Sequence, residues 1–544
     1  MLKIYAVLLV LVIGFASFGA QFTVEEKTLD FQQLIGRIKS SYGPLQYKKD
    51  VMKIDIDQLQ ASYLRRIQES KNNEEFYYLI NQFVAEFKDS HFGAQIPTTR
   101  NSLLPFFVEL VQGKILVEGV NPDLMKAEDF SLKKGDEIVS IDGVSVNDLT
   151  KSFLPYVNAG SERTRKRIAT WLITTRRAAA VPMVDGDTVI TLNPYDKSAQ
   201  RAVTFKWLHQ GEEMPESLQL SLDRSTAFTA TSFLQDMSVE KSIDNLVGDT
   251  PAERRFRCSG DTRIDIPEGA TIISKKPFVS YYWSTPKGNI GYVRLPHYSP
   301  SDTTPWATSP YQAFFLRYER TIAILEKNTV GMIIDQDHNC GGSVDLVNQM
   351  VGLFMDKPFH PFYFRLVANK ENYLEYKKLT AAIDPLASWF DSMTAVTNVV
   401  KDSWLKGERL TPFVTLDGIE WLQPNLIHYT KPVVMLIDEI SGSGGDAFPA
   451  MMQGYGRAKL LGVTTMGAGG HVTQNAPLNY SQITVSMTRS MFFRPDGVPI
   501  ENNGAVPDYP YEITVDDFMN GYRGLRDFYT GKLLGLVPDG PALR

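Results

Sequence analysis

Three short apolar runs in the second half of the chain do most to limit its fold. Residues 290–295, 331–335 and 433–437 are strand-length and almost wholly apolar, and stretches with a helical apolar period, such as 311–327, lie between them. Runs of this kind suit strands covered on both faces. Their alternation with helices predicts a layered α/β sheet, here over residues 286–515.

The 544 residues predict three or four domains at roughly 150 residues each. Residues 21–96 read as an N-terminal helical region. Leu34, Ile35 and Ile38 share one face, Leu59, Tyr63, Leu64 and Ile67 another, and Phe76, Leu79, Ile80, Phe83, Val84 and Phe87 a third. Turn formers then gather at Asp89-Ser90-His91-Phe92-Gly93. Residues 106–120 alternate as strands do, and 132–146 read as a Gly135-Asp136 turn, a strand, an Asp142-Gly143 hairpin turn and a second strand. Residues 181–285 read as an insert or linker with a strand-like piece at 203–208, and 516–544 as a C-terminal tail.

Lys3, an apolar run over 6–18 and small residues at Ala16, Gly19 and Ala20 have the layout of a secretory signal peptide in residues 1–20. The expected location is therefore the periplasm or the extracellular space. No later segment is long enough to span a bilayer, which takes about 20 apolar residues. Net charge is −6 with no basic run, which argues against nucleic-acid binding. Cys258 and Cys340 are the only cysteines, and sequence leaves their pairing open. No His or Cys spacing suits a metal, so neither metal nor cofactor is expected.

The chemistry concentrates in 432–449, where an apolar strand runs into Ser441-Gly442-Ser443-Gly444-Gly445-Asp446 and then a helix carrying Phe448, Met451, Met452 and Tyr455. A serine at a helix start sits beside unpaired backbone N–H groups at the positive end of the dipole, a favourable place to stabilise an oxyanion. Taken locally, Ser443 reads first as a helix cap with Asp446 as its capping-box partner, as most serines before helices do. A second strand ends in Asp335-Gln336-Asp337-His338-Asn339-Cys340-Gly341-Gly342, a loop able to present N–H groups into a cleft.

Together these segments resemble the C-terminal-processing, or tail-specific, serine peptidases. Residues 335–342 resemble that family's Asp-Leu-Arg-x-Asn-x-Gly-Gly motif, 441–469 its serine segment, 290–294 an early core strand, and 498–508 its late Glu-x-x-Gly-Val-x-Pro-Asp motif. The resemblance implies a PDZ-like module over 97–180, a crotonase-like α/β peptidase core and an enzyme acting on proteins or peptides. Where a PDZ carboxylate-binding loop carries Gly-Leu-Gly-Phe, this chain has Leu104-Pro105-Phe106-Phe107. Many members pair serine with a lysine, but the matching position here is Ala468. The lysine-free branch, with its tricorn-type and chlamydial peptidases, is the better resemblance.

That branch implies Ser443 as nucleophile, His91, in Lys88-Asp89-Ser90-His91, as general base and acid, and Glu501 as the carboxylate orienting it. The implied oxyanion hole combines Gly444 with Gly341 or Gly342. His338 is a competing base, His297 a weaker one, and Cys340 lies beside the site. The same resemblance implies a homodimer and an inhibitory segment within 210–285. The alternative is a non-catalytic protein whose clefts hold peptides or apolar ligands, with Ser443 merely capping its helix.

Overall fold

Helix α1 (Val24–Ser41) starts at a capping box in which the Thr23 hydroxyl accepts from the Glu26 N–H and the Glu26 carboxylate accepts from the Thr23 N–H. It is followed by α2 (Leu45–Asp50), α3 (Ile56–Gln68) and α4 (Asn73–Ala85). In this computed structural model, which describes residues 21–212, 258, 260–300 and 307–538, the expected helical faces form one core. Phe31, Leu34, Ile35 and Ile38 pack with Tyr63, Ile67, Phe76, Ile80 and Phe83. The leader expected in 1–20 and most of the expected inhibitory segment, 213–257, lie outside the described residues.

After α4 the chain turns through Lys88, at φ +50°, into the buried residues Asp89, Ser90 and His91. The strand Gly93–Gln95 then pairs antiparallel with Thr484–Thr488, fastening the N-terminal region to the far end of the chain.

The second unit is a β module. Phe106–Val111, Lys114–Val120, Glu137–Ile141, Asp187–Asn193 and Arg201–Lys206 form one antiparallel sheet in that order. Helix α5 (Glu162–Trp171) packs against its first strand. The Asp142-Gly143 turn has both residues at positive φ, +51° and +77°, as a two-residue hairpin turn requires. Its sheet runs on to Lys206, beyond the 180 expected from sequence. Thr188, Ile190 and Leu192 are buried in alternation with exposed neighbours, so the presumed linker carries two strands of the sheet. Leu104 and Phe106 are buried, and the Leu104 N–H donates to the Thr174 carbonyl at 2.9 Å, so that backbone donor is engaged within the module.

The core is a seven-stranded sheet whose spatial order follows the sequence: β1 (Thr271–Ser274), β2 (Ser280–Thr285), β3 (Gly288–Arg294), β4 (Gly331–Asp335), β5 (Val433–Ile437), β6 (Lys459–Gly462) and β7 (Tyr509–Pro510). The first three are antiparallel and β3 to β7 are parallel. It begins at 271 rather than 286, because the edge strand β1 is only four residues long and largely solvent-facing, and β2 lacks a continuous aliphatic run. Every residue of β4 and β5 is buried, as their continuous apolar runs required. Helix α6 (Pro310–Asn328) connects β3 to β4, and the presumed tail forms α8 (Arg523–Leu536), which buries Leu525, Tyr529 and Leu533 against the sheet. Helix α7 (Gly444–Gly454) follows β5 and carries Phe448, Met451 and Met452 into the core. Among the described residues no helix is long and apolar enough to cross a membrane.

Candidate active site

Beyond β5 the chain folds around Asp438, whose Oδ1 accepts from the Ser441 and His338 N–H groups, both at 2.9 Å. It then passes through Ser443, fully buried at φ 57°, ψ −113°. A non-glycine residue in such a conformation costs about 1–3 kcal/mol and persists only where its surroundings fix it. The fixing group is Asp446. Its Oδ2 accepts from the Ser443 N–H at 2.7 Å and the Ala468 N–H at 2.9 Å, and its Oδ1 accepts from the Gly467 N–H at 2.8 Å and from the Thr465 hydroxyl. Burial pushes the Asp446 pKa up to about 7, against the pull of these four donors. The Ser443–Asp446 cap is therefore real, and it holds Ser443 in a strained elbow.

The Gly-Gly loop after β4 closes on that elbow through Asn339. The Asn339 amide donates to the Leu295 carbonyl and its Oδ1 accepts from the Gly341 N–H, each at 2.8 Å, while its own carbonyl accepts from the Gly442 N–H at 3.0 Å. Gly341 sits at φ +78°, and a Cβ there would lie 2.7 Å from Ser443 Cβ and 2.9 Å from the Gly444 nitrogen. Only glycine allows this approach. Cys258 and Cys340 form a disulfide that pins the loop from outside, and the Cys258 N–H donates to the His338 carbonyl at 3.2 Å.

Of the competing histidines, His338 is buried with its Nδ1 against the Asp438 carboxylate and its ring 6.1 Å from that of Trp171. His297 stacks on Phe314 and accepts from the Ser299 N–H.

His91 and Glu501 are both fully buried, with Asp89 as their common neighbour. Asp89 Oδ1 accepts from the His91 N–H, and its Oδ2 accepts from the Tyr42 and Thr488 hydroxyls, all at 2.8 Å. Burial lowers the His91 pKa to about 4, with Asp89 opposing, so the imidazole is neutral at pH 7. Among the described residues neither of its ring nitrogens has a hydrogen-bond partner. Hydrogen bonds thus do not link His91 to Ser443 or Glu501 here. Glu501 Oε2 accepts from the Gly469 N–H at 3.0 Å, and its Oε1 accepts from Lys48. Burial, with Asp89 adding to it, pushes the Glu501 pKa up to about 8, while Lys48 and the Gly469 N–H pull it down. Loop 465–471 joins the halves of the site, bonding to Asp446 through Gly467 and Ala468 and to Glu501 through Gly469.

Between Gly342 and Gly444 the side chains of Val344, Val347, Phe362, Phe364, Ala447 and Phe492 form a tightly closed apolar crevice. A cleft of about 290 Å³ lies between the β module and the core, but Ser443, His91 and Glu501 are not in its walls.

Sequence reasoning did not single out Lys48, Asn339 or His471. Asn339 stood inside the motif, where its side-chain role was discoverable. His471 is buried, bonded through Nδ1 to the Ser490 hydroxyl and close enough to His91 to affect it. Nothing local marked it.

These features match known proteins. Residues 289–511 match the model of peptidase family S41 and residues 100–217 that of a PDZ domain. Residues 289–511 thus form a peptidase S41 domain, and the chain is a serine-type peptidase with a PDZ domain. Among curated proteins it is 25% identical over 558 residues to a protein of Chlamydia pneumoniae, covering 93% of this chain and 89% of that one. It is 23% identical over 575 residues to a protein of Chlamydia trachomatis, covering 95% and 93%. Among solved structures it is similar to a serine-to-alanine mutant of CPAF, with TM-score 0.80, 20% identity and coverage of 96% of this chain and 99% of that one. Mature CPAF complexed with lactacystin gives TM-score 0.78 at 22% identity, covering 94% and 99%. At these identities the structural likeness establishes a shared fold.

Proposed function

We propose that the chain is an exported serine endopeptidase that cleaves protein substrates through Ser443, His91 and Glu501. The observation that carries this reading is the strained elbow at Ser443, held against a loop where only glycine fits. A cap alone needs no such conformation, since ordinary N-caps are extended. The buried, unpaired imidazole of His91 supports it, because buried polar groups without partners are rare and invite a functional explanation.

In the proposed reaction Ser443 Oγ attacks the scissile carbonyl carbon while His91 takes its proton and passes it to the leaving amine. Water then hydrolyses the acyl-enzyme by the same proton route in reverse. Glu501 orients the imidazole, and the link to His91 closes on substrate binding, as such bonds commonly tighten only in the complex. The Gly341 N–H is engaged by Asn339, so the oxyanion donors are the N–H groups of Gly444 and Gly342. A disulfide supports export to an oxidising compartment, in line with the leader read in residues 1–20.

The test is labelling of the full-length protein with a fluorophosphonate probe, alongside hydrolysis of a protein substrate. Ser443→Ala should abolish both, and Glu501→Gln should slow both. Hydrolysis that survives Ser443→Ala at the wild-type rate refutes the mechanism.

A further inference from the structure

Lys48 lies on α2 between Tyr47 and Lys49, and its side chain is wholly inaccessible to solvent. A buried lysine is rare unless it is paired. Its three donors are matched by three acceptors: Glu501 Oε1, Asn502 Oδ1 at 2.6 Å and the Lys88 carbonyl at 3.1 Å. The Asn502 amide also donates to the Lys88 carbonyl, at 2.7 Å. One nitrogen thus grips both the carboxylate proposed to orient the base and the turn that delivers His91.

We infer that Lys48 is a positioning residue of the active site, fixing Glu501 and the Lys88–His91 turn together, so that the N-terminal helical region completes the peptidase centre. This rests on the Ser443–His91–Glu501 reading. It adds a cationic member supplied by a segment outside the peptidase domain.

The surroundings explain why a cation is needed there. The titratable groups facing Glu501 are Lys48 and Tyr47 on α2, Tyr42 ahead of α2, and Asp89 from the turn. Of these, only Lys48 brings positive charge. Without it, two carboxyl groups share a buried space and Glu501 retains its proton to higher pH, since like charges and burial both disfavour ionisation. A protonated Glu501 no longer stabilises a charged imidazole.

The experiment measures the rate of fluorophosphonate labelling of the full-length protein against pH, with thermal melting to confirm folding. Lys48→Gln keeps much of the length and a donor but removes the charge. It should label at least tenfold more slowly near pH 7.5, with the acidic limb of its profile moved up by a pH unit or more. Lys48→Arg should hold the limb at the wild-type position. In a Glu501→Gln background Lys48→Met should cost less labelling than it does with Glu501 present, and this double variant leaves neither partner of the buried pair stranded. An unshifted limb in Lys48→Gln overturns the inference, as do losses that multiply in the double variant. If Glu501→Gln itself labels as the wild type does, the triad reading fails first and the inference falls with it.

Discussion

Asp446 gives the sharpest quantitative test of the elbow. In Asp446→Asn the new amide nitrogen replaces one acceptor. Placed at Oδ2 it would strand the Ser443 and Ala468 N–H groups. Placed at Oδ1 it would strand only the Gly467 N–H, because the Thr465 hydroxyl can turn to accept. The second placement is the cheaper one. It leaves one buried N–H without a partner and removes the charge from the remaining bonds, for about 2–4 kcal/mol. Asp446→Ala strands three backbone N–H groups at about 1–3 kcal/mol each, and water entering the vacated space recovers part, for about 4 kcal/mol net. Both variants release Ser443 from a conformation that itself costs about 1–3 kcal/mol. The competent elbow should thereby lose population by about 5- to 150-fold. Urea unfolding reads the stability term, and fluorophosphonate labelling of the still-folded protein reads the population term. An Asp446→Ala protein within about 0.5 kcal/mol of wild type that labels within twofold of it would refute the idea that this carboxylate holds the elbow.

Gly341→Ala places a methyl 2.7 Å from Ser443 Cβ at φ +78°, so labelling should fall at least about a hundredfold while the melting profile survives. The disulfide closes a loop across 82 residues, worth about 4.5 kcal/mol in chain-entropy terms, so Cys258→Ser with Cys340→Ser should unfold at markedly lower urea. An unchanged midpoint would remove that role. For His91, the folded pKa near 4 lies below the 6.5 of a free imidazole, so the unfolded chain binds the extra proton. Wild type should therefore lose about 3 kcal/mol relative to His91→Asn as pH falls from 6.5 to 4, with the advantage fully present above 6.5. A flat difference between their urea midpoints would show that His91 is not buried in its neutral form.

The sheet and the elbow were legible because their signals are local. β4 and β5 are unbroken apolar runs, and Ser443 with Gly341 stands where strands give way to glycine turns. What was illegible depends on distant contacts. Lys48 sits in Tyr47-Lys48-Lys49-Asp50, a string that reads as a solvated helix face, and Lys49 beside it is exposed. Only Glu501, 453 residues away, makes its burial tolerable. The strands at 187–193, 271–274 and 280–285 escaped notice for a different reason. They include partly solvent-facing edges, where polar side chains weaken the alternation that marks a strand.

The pairing of Gly93–Gln95 with Thr484–Thr488, and of Lys48 with Glu501, also sets a clock on the enzyme's own synthesis. At about 5–20 residues per second, roughly 20–90 s separate the emergence of these two partners from a ribosome. Throughout that interval the proposed base His91 exists without the proposed nucleophile Ser443, and Lys48 without the Glu501 carboxylate. On the proposed mechanism, cleavage would begin only once nearly the whole polypeptide has closed on itself.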